Sequence, residues 1–326
     1  MGSFKFKRFL YADKPVVYLR FAFTLLVAGL FQVGLAEDKQ PKEKPVTALI
    51  QEAERWLYAN EVPDHLDRVE ETLDQIAKRD PNLPYAHWAR ARVMFWRKEA
   101  FYLLEKKDTR DKFEKEKLAL ADQCHTHCDK CLELAPQNAE CHLMKGVCYA
   151  MQVSTWGGRW KSVRAARQMD EEWKRTISLP SDFKHRGVVT TAQLAMVLRG
   201  ILYRLMPDSW WFGFIAGIQG DKEKAYEWMN EGVVDFLMKE PVTLLEKAAT
   251  AICYGQAAKK PEKIEEGLAL LRTGLKLPSR YALDDLDKRN MKILLEIPRK
   301  GCSYRRERFE EISEQRLKDE VQSSSK

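Results

Sequence analysis

Apolar residues recur along most of the chain at helical spacing, and prolines mark the ends of the runs. The spacing is clearest at Cys124, Cys128 and Cys131, which are followed by Pro136. Residues separated by four and then three positions lie on one face of an α-helix, and proline cannot continue the helix. The same spacing begins at Val69, Ala225 and Gly267, and also at Met169, where the third member is a threonine. Each copy therefore predicts a helix that buries one face and ends near a proline.

A second pattern follows the prolines. Ten residues after Pro136 comes a small residue, Gly146, and three positions later comes a large one, Tyr149. The same offsets lead from Pro81 to Ala91 and Met94, and from Pro241 to Ala251 and Tyr254. A small residue allows a neighbouring helix to approach closely, and the large residue fills the adjoining gap. The repeating unit is therefore a pair of antiparallel helices that stacks on the next pair.

The periodicity predicts an all-α fold. The predicted pairs are 46–60 with 64–79, 83–106 with 112–135, 138–153 with 161–178, 187–206 with 221–238, and 242–258 with 261–276, and a closing helix covers 282–296. No segment alternates apolar and polar residues in the manner of a β-strand, which argues against an α/β enzyme fold.

The repeat resembles the tetratricopeptide repeat (TPR), whose units are helix pairs with small and large residues at fixed positions before a proline. The segment Ala121–Met151 carries the resemblance best. The chain departs from the family pattern at His87 and His142, where the family often has tryptophan, and its units run about 37 to 60 residues rather than 34. The resemblance implies a right-handed superhelical solenoid of about five helix pairs over residues 46–298, with a C-terminal capping helix. The long units bear a weaker resemblance to the regulator-of-microtubule-dynamics type of TPR-like protein, from which we carry over no function.

The N-terminus resembles an export signal. An apolar run, Phe21–Phe31, follows a basic stretch that ends at Arg20, and the small residues Gly34 and Ala36 fit a signal-peptidase site. The apolar run is short for a membrane span. We therefore expect a cleaved signal peptide at 1–36, a charged linker at 37–45 and a periplasmic or secreted protein. An uncleaved N-terminal anchor is the main alternative, and a mitochondrial presequence is a third.

Composition narrows the possible functions. Apolar residues make up 45% of the chain and charged residues 32%, as suits amphipathic helices with much solvated surface. The net charge of +7 comes largely from the N-terminal leader, which leaves too mild an excess to indicate nucleic-acid binding. The His-Glu-x2-His and Gly-x-Ser-x-Gly motifs and the glycine-rich phosphate loops are missing from the sequence, so we expect no catalysis and no cofactor.

The segment Cys124–Cys131 contains three cysteines and two histidines and has the density of a zinc site. A metal would require remote ligands from Cys141, His142 or Cys148, because tetrahedral zinc usually draws its ligands from two separate segments. The competing interpretation, which we favour, is that the cysteines are small core residues at the buried positions of a helix. A redox Cys-x2-Cys is a third possibility. The helical scaffold does not require disulfides, and the odd total of seven cysteines leaves at least one unpaired.

Six residues share the phase of the helix expected to line a concave groove, and they are the candidate contacts for a partner: His87, Arg90, Met94, His142, Lys145 and Tyr149.

Two aromatic insertions interrupt the repeat. One holds Trp156 and Trp160 among Arg159, Lys161, Arg164 and Arg167, and could grip an acidic peptide or an anionic membrane, or fill the gap between helix pairs. The other, 207–214, holds Trp210 and Trp211, and its aromatic run 210–215 could form a docking patch, although we expect this run to fold back onto the array. A basic cluster in the segment 299–326 is expected to be a solvated helix or tail.

These features predict an exported TPR-like scaffold that binds a protein or peptide of unknown identity. One alternative is an accessory subunit of a cell-envelope or transporter complex that docks through the aromatic insertions, with peripheral membrane contact. The other is a zinc or redox protein that uses the Cys124–Cys131 cluster.

Overall fold

A computed structural model describes residues 44–59, 64–104, 113–156 and 160–306, and α-helices account for most of them. The helices are α1 (Val46–Leu57), α2 (His65–Arg79), α3 (Pro84–Leu104), α4 (Glu114–Leu134), α5 (Ala139–Trp156), α6 (Trp160–Ser178), α7 (Thr191–Leu205), α8 (Trp210–Ala216), α9 (Lys222–Gly232), α10 (Pro241–Ala257), α11 (Pro261–Lys276) and α12 (Ala282–Glu296). The all-α prediction is confirmed. The predicted signal peptide and nearly all of the predicted linker lie outside the described residues.

Local sequence explains where several helices begin and end. Prolines occupy the first position of α3, α10 and α11, where the missing N–H costs nothing. α4 ends at Leu134, two residues before Pro136. Thr190 and Gln193 form a reciprocal capping box that starts α7. The repeat pattern therefore locates most helix ends to within a few residues.

The structure differs from the prediction at the start of α7. Residues predicted as its first turn belong to a short hairpin of β1 (Lys184–His185) and β2 (Val189–Thr190). Gly187 and Arg186 turn the hairpin with positive φ values of 75° and 52°. Such angles are incompatible with a right-handed helix, so α7 can begin only after the hairpin.

The helices pack in the predicted pairs, with α7 paired to α9 rather than to the short α8, and each pair contacts the next along the chain. Gly146 of α5 shows why the pattern needs small residues, because an added Cβ would lie 2.3 Å from the indole Nε1 of Trp173 on α6. Trp173 is fully buried, and its Nε1 donates a hydrogen bond to the Leu143 carbonyl at 3.2 Å. Among the described residues, the core consists of three apolar clusters, centred on α1–α5, on α5–α8 and on α10–α12.

Two segments outside the repeat pack against the first helices of the pairs. The hairpin contacts α3, where the Trp88 ring lies edge-on to His185 of β1 and to Phe183, the residue before β1, with ring centroids 6.5 and 4.9 Å away. Residues 298–306, which we call the C-terminal segment, contain a 3₁₀ helix (Pro298–Ser303) and pack against α10 and α7. The expectation of a solvated tail from residue 299 is therefore wrong for 299–306, because Gly301 and Tyr304 are buried. The remaining tail, 307–326, lies outside the described residues.

Candidate docking surface

The first set of predicted groove residues lies on α3 and packs against neighbouring helices. Arg90 donates to Asp74 of α2 at 2.7 Å. Met94 is only 3% exposed and belongs to the core around α1–α5. His87 is half-buried, and its burial lowers the pKa of the imidazole. The prediction that Met94 contacts a partner is wrong, because the large residue after Ala91 fills the gap between helices.

The second set lies on α5 and pairs with second helices of the repeat. His142 Nδ1 lies 2.6 Å from Glu172 Oε2 of α6, and the hydrogen bond to this carboxylate raises the pKa of His142. Lys145 forms an ion pair with Asp129 of α4. The Tyr149 ring packs edge-on against His125, also of α4, with centroids 4.5 Å apart. His142 and Lys145 are both buried. The positions predicted to line an open groove therefore lie on the face of α5 that packs against other helices.

The face of α3 that the prediction missed carries Trp88, Arg92 and Glu99. Arg92 is buried and donates to Glu54 of α1 at 2.9 Å. Trp88 meets the hairpin, and Glu99 accepts a hydrogen bond from Arg306 of the C-terminal segment at 2.6 Å. The chain itself thus covers this face. The only sign of this face in the sequence was the spacing of four positions from Trp88 to Arg92 and of seven from Arg92 to Glu99. These positions share a helical face, but they hold charged and aromatic residues rather than a uniform apolar stripe.

The predicted cysteine cluster divides into two disulfides between α4 and α5. Cys124 pairs with Cys148, and Cys131 pairs with Cys141. The expectation that these residues are small, unlinked core residues is therefore correct about their burial and wrong about their bonding. A third disulfide joins Cys253 to Cys302. The spacing of the cysteines in the sequence could not reveal the disulfide partners, because the partners depend on which residues of α5 face each turn of α4.

Cys128 is the free cysteine, and it lies beside a disulfide. Its Sγ is 3.5 Å from Cys148 Sγ, and the sulfurs of Cys124, Cys128 and Cys148 all lie within 4.8 Å of one another. Burial raises the pKa of the Cys128 thiol well above its usual range. Metal binding needs thiolates, and both disulfide sulfurs would first have to be reduced. The donor set therefore fits zinc poorly, and among the described residues no fourth ligand completes it.

Helix α8 presents the most exposed aromatic residues of the described chain. Trp210, Trp211 and Phe214 are 61%, 59% and 81% exposed, and the two indoles stack with centroids 4.0 Å apart. Their spacing places them on one side of the helix. The opposite side holds Gly213, where an added Cβ would lie 2.8 Å from Gln219, and the buried Ala216. The expectation that this run folds back onto the array is wrong for Trp210, Trp211 and Phe214, because these three rings are exposed to solvent.

One basic residue of α6, Arg167, lies next to α8. Arg167 approaches Gly217, where its Cδ would be 3.1 Å from an added Cβ. Gly217 ends α8 with a φ of 68°, and an arginine suits the negative end of the helix dipole. Arg164 and Lys174 are exposed on the same helix, and Glu171 pairs with Arg167 at 2.9 Å. We call Trp210, Trp211 and Phe214, with Arg167, the α8–α6 surface.

The other aromatic insertion contributes less to the described structure. Trp156 is the last residue of α5 and is half-buried. Trp160 begins α6, but its side chain lies outside the described part of the structure, as do residues 157–159. The role predicted for this insertion in gripping a partner stays a prediction.

Comparison with protein-family models and with curated proteins found no match to this chain. Within the described ranges, no helix is both long and apolar enough to cross a membrane.

Proposed function

We propose that this protein is a non-catalytic, TPR-like scaffold that binds another protein through the α8–α6 surface. The observation that carries the proposal is the exposure of three adjacent aromatic side chains on one short helix. Exposed aromatic clusters of this kind mark interaction sites on soluble proteins, and Trp and Arg dominate the binding energy of protein interfaces. The surface fits a partner segment with apolar side chains at its centre and carboxylates at its rim.

A non-catalytic role is supported by the state of the histidines and of Cys128. Both ring nitrogens of His142 are occupied, Nδ1 by Glu172 and Nε2 by the Pro136 carbonyl oxygen at 3.0 Å, and burial lowers the pKa of His127 to about 4 and that of His185 to about 2. The Cys128 thiol is held protonated by burial. Groups in these states serve poorly as general bases or nucleophiles near neutral pH.

The α8–α6 surface is tested by replacing its three rings with glutamine, which keeps the helix propensity while removing the aromatic contacts. We expect Trp210→Gln/Trp211→Gln/Phe214→Gln to lower the affinity for the partner by at least 30-fold, since an aromatic hot spot contributes about 2 kcal/mol. The partner is first captured from a native extract and identified by mass spectrometry. Its affinity for the purified wild-type and variant chains is then measured by titration calorimetry.

The matched control is Leu103→Gln/Val188→Gln, which removes exposed apolar side chains elsewhere on the molecule. This control should bind the partner like the wild type. Equal affinity of all three chains would refute the proposed surface. Binding of the wild type, but not of the triple variant, to anionic phosphatidylglycerol vesicles without any protein partner would assign the surface to lipid instead.

A further inference from the structure

The C-terminal segment inserts an arginine between two acidic side chains from distant parts of the chain. Arg306 donates from Nε and Nη2 to the two carboxylate oxygens of Asp287 at 2.8 and 2.7 Å, and from Nη1 to Glu99 at 2.6 Å. The side chain of Asp287 is fully buried and that of Glu99 is nearly so. A fork of this geometry is specific for a guanidinium group, because an ammonium group cannot form the parallel pair of hydrogen bonds.

The backbone of the segment is also held by a side chain. Arg204 of α7 is buried and donates from Nη1 to the carbonyl oxygens of Gly301 and Tyr304, both at 2.9 Å. Its Nη2 is fixed by Glu246 of α10 at 2.6 Å. Tyr304 is fully buried. The rest of the molecule therefore holds the segment through its main chain, one aromatic ring and one guanidinium, which are the contacts that hold a bound peptide.

A disulfide ties the segment to the body of the molecule. Cys302 is bonded to Cys253 of α10, and Cys302 remains partly exposed while Cys253 is buried. Gly301 lies directly against α10, where an added Cβ would be 2.7 Å from Ile252. The bond therefore decides whether the segment is covalently tethered near its binding residues.

We propose that the C-terminal segment is an intramolecular ligand, latched by the Cys253–Cys302 disulfide, in a guanidinium-binding site formed by Glu99 and Asp287. Opening the latch transfers two electrons and two protons from a dithiol to the disulfide, which yields two cysteine thiols and an oxidised dithiol. The Tyr-x-Arg segment of a second copy of this chain then binds in place of the first copy's own segment. This site is independent of the α8–α6 surface.

The test uses the full chain and a fluorescent synthetic peptide of residues 298–308 with serine in place of Cys302. The variant Cys302→Ser/Arg306→Ala removes the latch and the competing arginine. We expect this variant to bind the peptide at least 10-fold more tightly than the oxidised wild type does. We expect the same variant to bind a peptide with lysine at position 306 at least 10-fold more weakly than it binds the peptide with arginine there. Cys302→Ser/Arg305→Ala, which keeps Arg306, is the matched control and should bind the peptide as weakly as Cys302→Ser alone.

Two results would overturn the proposal. One is that the double variant, shown by circular dichroism to be folded, binds the peptide no better than the oxidised wild type does, or binds the lysine and arginine peptides with equal affinity. Should the double variant not fold, hydrogen exchange of Cys302→Ser decides. We expect amides 299–305 to exchange at least 10-fold faster than in the oxidised wild type, and exchange unchanged from the wild type would make the segment a permanent part of the fold.

Discussion

Burial controls the chemistry of individual side chains in this protein. Cys128 lies against a disulfide but is held as a thiol, since the apolar core raises its pKa. The pKa values of the histidines show two opposing effects. The hydrogen bond to Glu172 raises the pKa of His142, whereas desolvation lowers the pKa of His185 to about 2. Neighbouring groups, rather than residue type, thus decide which of these side chains titrate near neutral pH.

His185 should make the fold sensitive to mild acid. Its folded-state pKa of about 2 lies below the unfolded value of 6.5, so the unfolded chain takes up a proton that the folded chain refuses. Stability is therefore lost as the pH falls below 6.5. We expect the free energy of unfolding of the wild type, relative to His185→Gln, to drop by about 2 kcal/mol between pH 7 and pH 5. Urea titrations at the two pH values measure it, and parallel pH profiles would contradict it.

The hairpin shows how an element can be shaped by one side chain. Arg186 adopts a φ of 52°, a conformation that costs a residue with a Cβ about 1 kcal/mol. In return its guanidinium binds Glu240 at 2.5 Å and stacks 4.5 Å from the Tyr58 ring centroid. Glu240 is buried and also pairs with Arg280 at 2.7 Å. The hairpin therefore connects α1 with the start of α10 through a partly buried ion pair.

The two arginines that share Glu240 provide a matched comparison. Arg186 is the less exposed of the two, whereas the side chain of Arg280 is 46% exposed. We expect Arg186→Ala to lower the free energy of unfolding by about 2 kcal/mol and Arg280→Ala by less than about 1 kcal/mol. The strain at position 186 stays the same, because alanine retains the Cβ. Urea unfolding of the two variants measures the difference, and equal losses would show that the hairpin does not depend on this pair.

Contacts between distant parts of the chain distinguish the whole molecule from a simple stack of repeats. In a repeat array each unit contacts only its neighbours. Here Arg306 reaches Glu99 across 207 residues, and Arg204 of α7 binds the C-terminal segment. The Cys253–Cys302 bond closes a loop of 49 residues in the same region. The last residues of the described chain thus join helices from its beginning, middle and end.

The long disulfide loop should contribute more stability than a short one. Cys131–Cys141 closes only 10 residues, and the entropy removed from the unfolded chain grows with the logarithm of the loop length. We expect Cys253→Ala/Cys302→Ala to lose about 1.4 kcal/mol more unfolding free energy than Cys131→Ala/Cys141→Ala. Urea unfolding under non-reducing conditions tests this, and a larger loss from the shorter loop would contradict it.

The sequence by itself determined the all-α class, the pairing of neighbouring helices and most helix ends. These depend on local interactions, namely the periodic burial seen at Cys124 and Cys128 and the chain-breaking effect of residues such as Pro136. The buried cysteines were therefore predictable, and so was the close approach at Gly146. The exposure of the aromatic side chains of α8 left a weaker signal in the sequence, because the packing role of Gly213 is evident only from its contact with Gln219.

Only the tertiary structure decided what each remaining face contacts. The predicted groove residues, such as Lys145, instead pair with second helices, and the face with Trp88 and Glu99 is covered by the chain itself. The disulfide partners were decided in the same way. The reason is physical: helical periodicity defines which residues share a face, but the partner of that face is selected by contacts between residues far apart in sequence.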